Sequence, residues 1–395
     1  MERSKGLINL LIIILTFLLL VFHTLTYFQA TYSFIVTLVL YGAILMLAFI
    51  SSNGCIDLYK IKKFVPIILA TFFILVIGVI VRNASIINVL GGYLPILIWS
   101  SLYAIVTPKM TDKARKIFVS GFLIVLLVGL VATLSVLITD STVARMLAGA
   151  GDEAYRAEYY AKGVGGYGFV YGWVFILFGI MSLVRREKRT VYKICLIALT
   201  VLTFITILYS SYTTAFMLSI IMIFLSVYSN TRSKQATVLF IIVVVLIVAL
   251  LVPILSLLQD VARSMELTWI ERRMGELISA EESDGLGQLR RSELYMKSIN
   301  SFLENPIVGA GNVGGHSFVF DMLGNYGIFG LFFVIAVFYT IYGVSEKGLL
   351  RENLVYIVIM ALLMINTLDS MVFLPMVLFA LPLILKKKSS GAGLR

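Results

Sequence analysis

Long apolar runs, broken by short polar stretches, organise this chain. A helix needs about 20 largely apolar residues to cross the hydrocarbon core of a bilayer. Runs that meet or approach this length lie at 7–28, 30–50, 64–82, 92–107, 117–138, 167–184, 191–209, 212–228, 237–258, 317–342, 354–368 and 370–385. They predict an all-α, polytopic membrane bundle of about twelve transmembrane helices. The fourth run and the last two are short. The run from Leu7 to Val21 follows Arg3 and Lys5, but no small-x-small cleavage site comes after it, so it reads as a retained first span. The pattern predicts one transmembrane domain over 1–388 and a flexible Gly/Ser-rich tail over 389–395.

Two polar segments are longer than the other breaks. One covers about 139–166. The other, 259–316, is an external loop between spans 9 and 10. It is amphipathic, with helix-like stretches on either side of a turn-rich EESDGLGQ centre.

Composition agrees with the pattern. Hydrophobic residues make up 60% of the 395 and charged residues 13%, against roughly 25% charged in soluble chains. The charges also orient the chain. With both termini cytoplasmic, every inner segment is short and basic, for example Lys60–Lys62–Lys63, Arg185–Arg186–Lys188–Arg189 and Lys386–Lys387–Lys388. That is the positive-inside pattern. It makes the net charge of +11 a topology signal and argues against nucleic acid as a partner, since the positives are scattered over small loops. Cys55 and Cys195 fall in or beside apolar segments and read as packing residues.

The candidate chemistry lies in the second long loop. It carries Arg263, Arg272, Arg273, Arg290, Arg291 and Lys297. Arginine presents a rigid fork of donors suited to phosphate oxygens. Arg290 and Arg291, just before Tyr295, are placed to hold a lipid diphosphate. The plainer alternative pairs them with Glu281, Glu282, Asp284 and Glu293 on a solvated face.

ENPIVGAGNVGGHSFVFDMLGNYGIFG follows. Pro306 stops the preceding helix, and Gly309, Gly311, Gly314 and Gly315 permit tight turning and close backbone approach. His316 and Ser317 then stand at the start of the tenth span. Asp321 and Asn325 share a face one turn deeper and should point into the bundle, where Asp321 is a substrate-binding candidate and the next base to consider after His316. His316 is either a structural interfacial residue or a reacting group. No cluster has metal-ligand spacing, since the only other histidine is His23. Arg156, among the tyrosines and glycines of the first long loop, is a further substrate-binding candidate. Those aromatics read as a sugar-stacking surface or as the interfacial belt. Arg82, at the outer end of the third span, either snorkels or reaches the same cavity.

The combination of R-x-x-x-Y (Arg291, Tyr295), N-P-x-x-G-x-G (Asn305, Pro306, Gly309, Gly311), H-S (His316, Ser317) and G-x-x-G (Gly327, Gly330) resembles the O-antigen ligase/polymerase superfamily. Within it the chain looks most like a Wzy-type polysaccharide polymerase, because ligases usually carry Trp at the position of Tyr295 and Asn at that of Ser317. The resemblance implies polymerisation of undecaprenyl-diphosphate-linked oligosaccharide repeat units at the outer face of the cytoplasmic membrane. A hydroxyl of an incoming lipid-linked unit attacks the anomeric carbon of the growing chain, and undecaprenyl diphosphate leaves. Arg290 and Arg291 would stabilise the charge developing on the diphosphate, helped by Arg272, Arg273 and Arg263. His316 would accept the hydroxyl proton. No cofactor is implied. The expected partners are the lipid-linked donor and acceptor, membrane lipid, a chain-length regulator and a flippase. The alternatives are a ligase-type transferase to another acceptor, and a lipid-linked oligosaccharide flippase or other secondary transporter.

Overall fold

The structure is a computed structural model that describes residues 2–28, 34–52, 64–140, 142–149, 153–210, 212–228, 250–264, 292–315, 317–344 and 373–386, with isolated positions at 238, 242, 246, 271–272, 274–275 and 278. The described residues are all α. Among the described residues, six helices are long and apolar enough to cross a membrane, and five shorter apolar helices accompany them. The chain is therefore a multi-pass membrane-helical protein. The predicted eleventh span, 354–368, lies outside the described residues, as does part of the ninth, whose described end continues as helix to Ser264.

The helices are α1 (Glu2–Thr24), α2 (Phe34–Ser51), α3 (Val65–Val76), α4 (Ile86–Val106), α5 (Asp112–Leu137), α6 (Val143–Gly149), α7 (Glu153–Ala161), α8 (Tyr167–Arg186), α9 (Thr190–Tyr209), α10 (Thr213–Tyr228), α11 (Leu251–Ser264), α12 (292–304) and α13 (Phe318–Val344). A final segment runs through a π-helical turn, Pro375–Ala380, into α14 (Leu381–Leu385).

Two of the predicted spans change. The fourth starts six residues before its predicted start at 92, because the Ser85 hydroxyl caps it by accepting the Asn88 N–H at 3.2 Å. Asn88, Gly91 and Gly92 dilute the local hydropathy and hid this first part. The tenth is not one straight helix: Gly327, at φ 59° and ψ −137°, interrupts α13. Unbroken, its 27 residues would span about 40 Å, more than the ~30 Å hydrocarbon core needs.

The helix α8 is the centre of the bundle. Nearly all its residues are buried, against α9, α10 and the final segment. Phe379 joins the last segment to α4 and α5 through ring contacts with Trp99 (5.9 Å) and Phe118 (5.7 Å). Thr200, Thr203 and Thr206 each donate to a carbonyl four residues back, so these hydroxyls need no water in an apolar setting.

Polar contacts tie helix ends to one another. At one end Lys109 donates to the Ser51 hydroxyl (3.0 Å), which donates to Asn9 (2.6 Å), and Arg186 donates to the Leu385 carbonyl (2.8 Å). At the other end Thr133 binds the backbone of Gly163 and Gly165, and the Tyr212 hydroxyl donates to the Ala144 carbonyl. The first long loop contains α6 and α7, which close over a small apolar cluster of Leu137, Val143, Ala144, Leu147 and Val164.

Candidate functional site

The site is built from the turn between α12 and α13. The helix α12 ends at Glu304 and Pro306 follows, as the sequence predicts. The next residues make a compact turn with positive φ at Gly309 (71°), Gly311 (85°) and Gly315 (75°). The turn lies against the break in α13. The Pro306 carbonyl accepts the Ile328 N–H (2.9 Å), and the Gly311 N–H donates to the Gly324 carbonyl (3.0 Å).

Breaking a helix leaves its last carbonyls without intrahelical partners, and here the fold supplies them. Gly324 O accepts from Gly311 N–H and from the Ser301 hydroxyl (2.9 Å). Asn325 O accepts from Arg82 Nη2 (3.0 Å). Beyond the break the chain folds back. A β-carbon on Gly330 would overlap the Met322 carbonyl, although residues eight apart in a straight helix stand about 12 Å apart along its axis.

The start of α13 is equally organised. Asp321 Oδ1 accepts from the Ser298 hydroxyl (2.7 Å) and the Gly315 N–H (3.2 Å), and Oδ2 from the Ser317 N–H (3.1 Å). Ser298 Oγ also accepts the Gly314 N–H (3.0 Å), and Ser301 Oγ that of Asn312 (3.0 Å). Ser298 and Ser301 lie three apart on α12, facing the turn, and both are buried. Sequence reading passed over this pair; the available signal was two small polar residues on one helix face just before an Asn-Pro stop.

Of the predicted site residues, the fold brings Arg82, Tyr295, Pro306, Gly309, Gly311, Gly315 and Asp321 into this one unit. The Tyr295 ring packs against Phe320, centroids 5.5 Å apart. The Tyr326 ring meets Tyr93 of α4 at 5.8 Å. Arg263 stands elsewhere, exposed, with its Nε donating to Glu271 (2.8 Å) and Nη1 3.6 Å from Asp260; the hydrogen bond it donates to Glu271 raises its pKa further. Arg272 is exposed. Arg156 belongs to α7, and its Nε is buried with no hydrogen-bond partner. His316, Arg290, Arg291 and Arg273 lie outside the described residues. His23 is a core residue, 3.2 Å from the Thr37 hydroxyl and edge-on to Trp99.

Chemically the unit presents a glycine-rich backbone turn with the guanidinium of Arg82 bound to it. Its polar groups are mostly committed to one another. Asp321, with three donors on its carboxylate, is suited to holding the turn. No family model matches the chain, and comparisons with curated proteins and with solved structures also find no match.

Proposed function

We propose that the chain is a membrane glycosyltransferase that polymerises undecaprenyl-diphosphate-linked oligosaccharide repeat units at the outer face of the cytoplasmic membrane. The observation that carries this reading is the convergence of motif residues. Asn305, Pro306, Gly309, Gly311, Gly327 and Gly330 carry the family resemblance, and they form one built unit in which the turn is seated on the broken helix. A catalytic turn needs such rigidity, because reacting groups must be held in place before the chemistry begins.

In this reading both termini are cytoplasmic and the turn faces outward. Arg290 and Arg291 hold the diphosphate of the donor. His316 takes the proton from the acceptor hydroxyl as its oxygen bonds to the anomeric carbon, and the bond from that carbon to the diphosphate oxygen breaks. Undecaprenyl diphosphate leaves with the electron pair. Asp321 is not the base here, since its oxygens serve the turn.

One observation favours a transporter as the second reading: carriers commonly build ion sites from the unwound carbonyls of broken helices. At this break the carbonyls of Gly324 and Asn325 already have protein donors, which weighs against an ion there.

Reconstitution in vesicles with lipid-linked repeat units tests the proposal. A ladder of longer glycans is expected. Transfer to a different acceptor would make the protein a ligase, and movement of label across the bilayer without a new bond would make it a flippase. His316→Ala should lose roughly 10²–10⁴-fold in rate, and Arg291→Lys should be impaired because the fork is lost while the charge is kept.

A further inference from the structure

Arg82 ends a π-helical turn, Ile77–Val81, and is followed by Asn83 at φ 51° and by Ser85, the cap of α4. Backbone bonds from Arg82 N–H to Ile77 O (3.1 Å) and from Ala84 N–H to Gly78 O (2.9 Å) make this bend compact. The arginine therefore leaves a fixed base. Its Nη2 reaches three carbonyl oxygens more than 220 residues away: Val308 (3.1 Å), Gly309 and Asn325 (3.0 Å). The first two belong to the glycine turn. The third belongs to the last turn of the half-helix before Gly327. The C-terminal carbonyls of a helix carry partial negative charge, and a guanidinium there satisfies them with charge-assisted bonds. Gly311 completes the fit, because any β-carbon at that position would overlap Arg82 Nη1.

We propose that Arg82 is a positioning residue, a tether that fixes the 305–315 turn to the broken end of α13, and not a ligand of the substrate's phosphates. The proposal rests on the transferase reading only for its consequence, a correctly placed turn during glycosyl transfer. The tether itself is measurable without activity. With three donors but a shorter reach, Lys keeps part of the cap, whereas Met keeps the apolar stem and removes it.

The test uses the full chain in lipid nanodiscs. Hydrogen exchange read by mass spectrometry should rise in Arg82→Met over peptides covering 301–328 while α8 and α9 stay protected, with Arg82→Lys intermediate. The transfer assay, supplied with undecaprenyl-diphosphate-linked oligosaccharides extracted from source membranes lacking the protein, should show kcat down roughly tenfold to hundredfold in Arg82→Met, a KM changed far less, and partial recovery in Arg82→Lys. Gly311→Ala, which pushes the guanidinium aside, should give the same exchange pattern, and the double variant should be no worse than either single one. Unchanged exchange over 301–328 in Arg82→Met overturns the tether. So does a raised KM with kcat and exchange unaltered, the signature of a phosphate ligand. Raised exchange with normal transfer overturns the positioning role. If the wild-type protein performs no transfer while exchange responds as expected, the transferase reading fails and the tether stands. Should Arg82→Met not fold, Arg82→Lys and Gly311→Ala carry the same readouts.

Discussion

Two stretches of this protein look alike on paper. Residues 163–179 read GVGGYGFVYGWVFILFG, and residues 305–330 read NPIVGAGNVGGHSFVFDMLGNYGIFG. Both interleave glycines with aromatics. In the first, the space above the glycines is filled by side chains: Tyr27 over Gly163, Trp173 and Phe169 over Gly165, Leu147 over Gly166, Met376 over Gly172, Ile384 and Leu381 over Gly179. In the second, it is filled chiefly by backbone: Gly324 O over Gly309, Leu294 O over Gly314, Ser298 O over Gly324, and the carbonyls of Pro306 and Ile307 over Gly327. The exceptions there are Gly311, with a charged side chain, Arg82, over it, and Gly315, with open space above it. The first stretch is helix packing, where small residues let helices approach. The second is backbone seated on backbone. A flexible neighbour moves aside at small cost; a carbonyl held by hydrogen bonds does not.

The largest effect that would break or sharpen this contrast is expected at Gly327. Its φ of 59° and ψ of −137° lie where L side chains are strained by about 1–3 kcal/mol, and the two carbonyls above it add overpacking of similar size. Gly327→Ala should unfold several degrees earlier in a thermal melt of the detergent-solubilised protein, and should lose transfer. A melt like that of the wild type would mean the break tolerates a side chain, and the contrast would collapse.

A smaller loss is expected for Ser298→Ala. It removes the buried hydroxyl that donates to Asp321 and accepts from Gly314, at a cost of about 1–3 kcal/mol for the unpaired groups. Circular dichroism melts measure the stability, and exchange over 312–322 should report loosening confined to the turn. Loosening spread across the bundle would show that the turn is not a separate unit.

The smallest effect belongs to the first stretch. Gly172→Ala should change stability by less than about 1 kcal/mol, since Ala's better helix propensity offsets the displacement of the Met376 thioether above it. A loss as large as that at Gly327 would erase the distinction between the two stretches.

The division between sequence and tertiary structure can be drawn residue by residue. Hydropathy is a local property, averaged along the chain, so the apolar runs alone placed α2, α8, α9 and α10 within a few residues of their ends and α1 and α5 within about five, while the run 64–82 covered α3 together with the π-helical turn that follows it. Pro306 likewise announced its helix stop, because a missing N–H acts on its own turn. The late start predicted for α4 arose where polar and glycine residues lowered the average even though a Ser85 cap extends the helix. The break in α13 was invisible to hydropathy, since an apolar run has the same average whether its backbone is straight or folded at Gly327. Arg82 showed only that a lone cation sits at a span end. Its partners lie 226 to 243 residues away, and only packing of α3 against α13 brings them within reach. Asp321 looked like a candidate base from its position alone, and three donors on its carboxylate made it a clamp. The chain by itself determined which segments prefer lipid, a free energy summed over neighbouring side chains. Which backbone groups lacked a partner, and which distant side chain would satisfy them, was decided by the folded bundle, because buried carbonyls must be paired and only tertiary contacts can supply donors from so far along the chain.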